Sequence, residues 1–191
     1  VDDQDEEQAL DALADAVFAA GADALWVHAR KAWLEGLSPK ENRDIPPLNY
    51  DRVYRLKPRY REKFIGINGG IASAEAGIIH LGRVDGVMLG RAAYHEPMQL
   101  LQADRLYFGD VAPTQNVAAV IEAMAEYAER HIASGGRLSH VTRHMVGMFH
   151  GQPGARRFRQ ILSTDASKPG AGPEVLFRAF EALAVLGQAA E

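Results

Sequence analysis

The sequence predicts an α/β fold: the C-terminal part of a (β/α)8, or TIM, barrel followed by an all-α helical bundle. Three observations carry that reading. Helical stripes and short apolar runs alternate over residues 1–107, as successive parallel βα units require. Two of those runs, Phe64 to Ile67 and Gly86 to Leu89, stop at turns rich in glycine, Asn68-Gly69-Gly70 and Gly90-Arg91. Over residues 108–191 only helical spacing remains, which marks a second, helical domain.

Asp5 to Ala20 places Leu10, Leu13, Val17 and Phe18 at helical spacing, and Gly21 suits the position just past a helix end. Ala24 to Val27 follows as a strand that runs into His28-Ala29-Arg30-Lys31. The segment from Ala32 to Asn49 is a long loop, with Trp33, Leu34 and Leu37 to pack it. Tyr50 to Tyr60 reads as helix closed by Pro58, and Ser73 to Leu81 as helix with Ser73 as N-cap. Arg91 to Tyr107 continues helical with a break near Pro97. Beyond it, helices are expected at Asn116 to Ala133, His140 to His150, Ala155 to Leu162 and Pro173 to Leu186. The last carries Val175, Leu176, Phe180, Leu183 and Leu186 as its apolar face. Three strands cannot close a barrel, so the expectation is a piece of a larger fold.

Composition bounds the function. The 191 residues are 47% apolar and 24% charged, the balance of a globular protein with a core. No run nears the roughly 18 to 20 apolar residues of a membrane span, and the first residues are acidic, unlike a secretory signal. A cytoplasmic protein with no membrane partner is expected. With no cysteine, the chain offers no disulfide, thiolate metal site or cysteine acid. The net charge of −4 conceals a division. Residues 1–27 hold eight acids and no Lys or Arg, residues 28–63 ten bases against five acids, and residues 137–168 six bases against one acid. Two basic segments allow a polyanionic partner.

Glycine lets backbone N–H groups approach an anion closely, so two strand-end glycine turns suit a phosphate, with Arg91 adding a charged fork. In a (β/α)8 barrel the loops after the last two strands form a common phosphate site. Each turn alone is equally an ordinary tight turn; the pair at this spacing favours the phosphate. His28 sits where parallel α/β proteins place ligand contacts, although a lone His there is as readily structural. His140 and His144 have the i, i+4 spacing of a metal-binding helix but lack the glutamate of that motif and a third ligand, so no metal is expected. Lys40 with Arg43, and Arg156 with Arg159, are pairs three apart that are either solvated charge or grips on an RNA backbone.

Four runs then become recognisable: HARKAWLEGLSPKENRDIPPLNYDRVYRL (His28 to Leu56), INGGI (Ile67 to Ile71), DGVMLGRAAY (Asp85 to Tyr94) and TRHMVGMFHGQPGARRFRQIL (Thr142 to Leu162). Together they resemble the C-terminal part of the bacterial tRNA-dihydrouridine synthases of the A subfamily, over nearly the whole chain. The resemblance implies an FMN-binding barrel with a C-terminal helical domain, monomeric at full length. Such an enzyme reduces D-loop uridine of tRNA, at positions 20 and 20a, to dihydrouridine with NADPH as electron donor. On this sequence it places His28, Asn68, Gly69, Gly70, Gly90 and Arg91 at the FMN, with Arg30 in the same motif, and Lys40, Arg43, Arg156 and Arg159 at the tRNA. The family protonates C5 of the uracil with a cysteine, while hydride reaches C6. This chain has no cysteine, so no catalytic residue is assigned to it and the chain alone is expected to be inactive. Two other readings stand beside this one: a noncatalytic tRNA-binding module, and a different phosphate-binding barrel enzyme.

Overall fold

The architecture comes from a computed structural model that describes residues 4–109 and 116–188, with 184–188 given by backbone alone. Leu186, expected on the last apolar face, therefore lies outside the described side chains. The described residues fall into two compact units, one up to Gly90 and one from Arg91 onward.

The first unit opens with α1 (Glu6–Ala19), capped by the Asp5 carboxylate, which accepts from the amides of Glu7 and Gln8 at 3.0 and 2.8 Å. Gly21 leaves it with φ +98°, as its placement predicts. Three strands follow where the apolar runs place them: β1 (Ala24–His28), β2 (Phe64–Asn68) and β3 (Gly86–Met88). They form a parallel sheet in the order β1-β2-β3, with His28 opposite Asn68 and Asn68 opposite Met88. The α/β class and the parallel sheet are thus observed, an arrangement consistent with part of a barrel.

Alternation gives the sheet two unlike faces. Val27, Ile65 and Ile67 on one face are buried in a core with Ala14, Val53 and Leu56. Truncating a fully buried residue such as Ile67 to alanine costs about 2–5 kcal/mol. The other face carries Trp26, Phe64 and Met88, which are 41%, 38% and 40% exposed. There the Trp26 and Phe64 rings lie 5.3 Å apart, and Trp26 covers the place where a Cβ of Gly66 would stand. A Cβ at Gly86 would lie 2.6 Å from Phe64 and 2.8 Å from Trp26.

Between β1 and β2 the expected helix is two pieces, α2 (Tyr50–Tyr54) and α3 (Leu56–Arg59). Pro58 lies inside the second piece. It has no N–H to offer the Tyr54 carbonyl four residues back, and the break falls between them. Between β2 and β3, α4 (Ala74–Ile78) is shorter than the expected nine residues, although Ser73 caps it as predicted, its hydroxyl accepting from the Ala76 amide at 3.0 Å.

The second unit is helical. α5 (Arg91–His95), a 3-10 stretch (Pro97–Gln102) and α6 (Ala103–Phe108) precede α7 (Val117–Ala133), α8 (Leu138–Thr142), α9 (Ala155–Thr164) and α10 (Glu174–Gln188). Ile121, Leu138, Phe158, Leu162 and Leu176 are almost wholly buried in one shared core. The helix expected over His140 to His150 ends at Thr142. From there the chain proceeds by i, i+3 turns, such as Met145 N–H to the Thr142 carbonyl at 2.9 Å and Met148 N–H to the Met145 carbonyl at 3.0 Å. Met145, Met148 and Phe149 still reach the core, so apolar spacing reported burial there rather than helix. Among the described residues no helix is long and apolar enough to cross a membrane.

Candidate functional site

The strand ends of the first unit build one cluster. His28 and Asn68 project from adjacent strands in register, and His28 Nδ1 donates to Asn68 Oδ1 at 2.9 Å. That bond leaves Nε2 of the exposed imidazole without a partner among the described residues. The Asn68 carbonyl accepts from the Ala29 amide at 2.7 Å, which extends the ladder one residue past the strand.

Gly69 and Gly70 then turn the chain with φ +116° and +68°, a region that favours glycine. A Cβ at Gly70 would run into Leu48, and Tyr50 donates its hydroxyl to the Gly69 carbonyl at 2.8 Å. The loop is thereby held from below by the Leu48–Tyr50 segment. Among the described residues the amides of Gly69 and Gly70 donate to no group. Two adjacent N–H groups on this left-handed turn are thus left without an acceptor. Gly90 differs: a Cβ there would meet nothing within 4 Å, so the chain itself supplies no reason for glycine. Arg91 follows as the first, exposed residue of α5. α4 and α5 are short helices of five residues each.

Arg30 has a structural duty that its place in the motif did not reveal. Its guanidinium donates to the carbonyls of Asp44 and Pro46, clamping the long loop to the end of β1, while its Nε is buried without a partner. The loop is organised by Asn42, which sequence reasoning missed. Its amide nitrogen donates to the Trp33 carbonyl at 2.7 Å and its oxygen accepts from the Trp33 amide at 2.7 Å. Ser38 and Glu41 close the adjoining 3-10 turn (Glu41–Arg43), the Ser38 hydroxyl and amide donating to the Glu41 carboxylate at 2.6 and 2.8 Å. Those bonds, the hydroxyl's first, hold the Glu41 carboxyl below its ordinary range. Lys40 and Arg43 are exposed at the two ends of this turn, and Arg43 Nε donates to the Pro39 carbonyl at 3.1 Å.

In the second unit, α9 buries Phe158, Ile161 and Leu162 and exposes Arg156, Arg157 and Arg159. Arg157 donates to Gln160 at 3.0 Å, while Arg156 and Arg159 have no partner among the described residues. Arg156 and Arg157 lie in the first turn, where a cation opposes the helix dipole at a cost of about 0.3–1 kcal/mol, so helix formation does not account for them there. The two histidines weighed as a metal pair part company. His144 lies beyond the end of α8, between Tyr94 and Arg143, whereas His140 faces His131. Among the described residues no three His, Cys, Asp or Glu side chains gather as a metal site.

A family profile described as "Dihydrouridine synthase (Dus)" covers residues 1–184. The chain belongs to that family. It is 51% identical over 183 residues to a Shewanella oneidensis protein named tRNA-dihydrouridine(20/20a) synthase, an alignment covering 96% of this chain and 55% of the relative. A Pseudomonas syringae pv. tomato protein of the same name is 57% identical over 149 residues, 78% of this chain and 44% of the relative. One from Salmonella typhimurium is 48% identical over 185 residues, 96% and 56% respectively. This dihydrouridine synthase family member thus spans about half the length of the curated relatives it matches.

Proposed function

We propose that the whole protein is an FMN-dependent tRNA-dihydrouridine synthase that reduces D-loop uridine, at positions 20 and 20a, with NADPH. In this reading the chain is the C-terminal portion, with residues 1–107 as barrel and residues 108–191 as a helical tRNA-binding domain. The observation that carries the proposal is the cradle of unpaired Gly69 and Gly70 amides beside the His28–Asn68 hydrogen bond, at the ends of adjacent parallel strands. That is where α/β barrels hold a phosphorylated cofactor.

The residues present fit such a group. Gly69 and Gly70 offer donors with no internal acceptor, Gly90 leaves space that nothing in the chain fills, and the buried Arg30 Nε is an orphaned donor near the end of β1. FMN bound there would supply the hydride chemistry between NADPH and the uracil. The chain's own residues bind and orient. Asn68 fixes the imidazole of His28 through Nδ1, so Nε2 meets the cofactor in one orientation. Arg91 contributes a permanent positive charge to the phosphate. Lys40, Arg43, Arg156 and Arg159 grip the tRNA backbone, which requires no base contact. The proton for C5 comes from a cysteine outside this sequence, and the resulting enzyme is cytoplasmic and monomeric.

The test is purification of the full-length protein. It should be yellow with bound flavin and should consume NADPH while converting uridine in a D-loop transcript. A colourless protein that still binds tRNA would favour a noncatalytic RNA-binding module. The cradle has its own check. Gly70→Ala should cost about 2 kcal/mol of stability, through the left-handed φ and the collision with Leu48. Gly90→Ala should leave the melting temperature nearly unchanged yet lower flavin retention; full retention would remove Gly90 from the site.

A further inference from the structure

The helical unit contains a cleft of about 480 Å3 that none of the residues discussed as phosphate or backbone contacts enters. Met124 and Val141 lie at its apolar side. Its polar lining is aromatic and basic: Tyr127 and His131 from α7, His140 from α8, and Arg143 and His144 just beyond it. No carboxylate lines it. The size is within the range of small-ligand sites.

The side chains are held rather than scattered. The rings of Tyr127 and His131 lie nearly parallel, 7° apart in orientation with centroids 6.2 Å apart, and Tyr127 is half exposed. His131 packs edge-on against His140 with centroids 5.5 Å apart. The Arg137 amide donates to His140 Nδ1 at 3.4 Å, so that nitrogen is an acceptor, and His131 Nε2 donates to it at 3.3 Å. The His131 ring occupies the place where a Cβ of Gly136 would stand, so glycine at 136 makes room for it. On the far side, Arg143 Nε donates to His144 Nε2 at 3.0 Å, leaving His144 Nδ1 to donate to the Tyr94 hydroxyl at 3.1 Å. These bonds leave the Tyr127 hydroxyl, His131 Nδ1, His140 Nε2 and the terminal nitrogens of Arg143 without partners among the described residues. A core cluster would be buried and satisfied; this one is solvent-facing and keeps both donors and an acceptor unspent.

We propose that this cleft receives an unpaired nucleobase of the tRNA, stacked on the Tyr127–His131 rings, with Arg143 on the adjoining phosphate. Exposed parallel aromatic rings beside a guanidinium are how proteins hold splayed single-stranded bases, and the unspent His140 Nε2 suits a base edge. The inference rests on the reading of the protein as a tRNA-binding enzyme and adds a site to the arginine face of α9.

The experiment uses the full-length protein and an unmodified tRNA transcript, with affinity measured against salt. Tyr127→Ala should weaken binding about tenfold, because stacking of one base carries an effect of that order. The slope of log affinity against log salt should not change, since no cation is removed. Tyr127→Phe should bind within twofold of wild type, and Arg143→Ala should reduce the slope by about one. His131→Ala provides a second ring deletion should Tyr127→Ala fail to fold. Ring deletions that bind like wild type would overturn the inference, as would a Tyr127→Ala loss that Phe does not rescue. A wild-type protein that binds no tRNA overturns both this inference and the reading beneath it. Loss in Arg156→Ala with none in the ring deletions overturns this inference alone.

Discussion

Two stretches of this chain look alike by charge count and behave oppositely in the fold. In residues 28–63 the basic side chains are largely consumed by the protein. Arg52 reaches Glu6 at 3.2 Å, Arg55 reaches Glu7 at 2.5 Å, and Arg59 spans Asp11 and Asp15 at 3.0 and 2.5 Å. Lys57 holds Asp85 at 2.9 Å, and Lys63 donates to the Ala22 carbonyl at 2.9 Å. The acidic face of α1 and the basic faces of α2 and α3 are partners. In residues 137–168, by contrast, only Lys168 pairs with a carboxylate, Asp165, among the described residues. Arg156 and Arg159 stand unpaired on α9. A basic segment becomes a polyanion site only where the fold leaves its charges unspent.

The largest effect should come from breaking the unspent pair. Arg156→Ala with Arg159→Ala should weaken tRNA binding roughly 30-fold near 0.15 M salt, if each contact carries about 1 kcal/mol. The salt slope should fall by about 1.5. An unchanged slope would erase the distinction between the two segments. Next, Arg52→Ala should destabilise the fold by about 2 kcal/mol in denaturant melts while leaving tRNA affinity within twofold, because Arg52 is only 8% exposed and its partner Glu6 belongs to α1. A tRNA defect as large as that of the α9 double variant would show that the bases paired with α1 also serve binding, beyond Lys40 and Arg43.

The smallest effect concerns acid. The Tyr60 hydroxyl, and then the Arg59 guanidinium, hold the Asp15 carboxyl below its ordinary range, despite an opposing contribution from desolvation. A carboxyl with a depressed folded pKa stabilises above its unfolded value, near 3.9, and loses that contribution as pH falls through the folded value. Asp15→Asn should therefore be slightly less stable than wild type at neutral pH, with the gap narrowing below about pH 4. A gap that stays constant with pH would mean the α1–α3 contact is held by shape rather than charge.

Much of the frame was legible in the sequence because short apolar runs bounded by turn residues have few alternatives as strands. All three strands lie within a residue or so of where those runs place them, and Ser73 caps its helix as expected, while Asp5 and Asn116, read only as helix starts, prove to be caps as well. The helix over His140 to His150 was not legible, since a series of i, i+3 turns buries Met145 and Met148 as well as a helix does. Charge composition could not say that α1 would meet α2 and α3, because ion pairs 44 and 48 residues apart in sequence leave no local pattern. In the candidate site the glycine turns announced themselves, while Tyr50 and Asn42 did not. Their roles depend on carbonyls and amides, which every residue owns. The His131–His140 contact was hidden similarly, with Gly136 as its only trace.

Trp26 has a consequence for how this sequence can change. Its ring fills the volume that side chains at 66 and 86 would otherwise share, so positions 26, 66 and 86 behave as one object divided among three strands. A larger residue at 66 is admissible only together with a smaller one at 26, and one at 86 only where both 26 and 64 give way. Homologues should therefore inherit the trio together or exchange it together, and single swaps should be the rarest form.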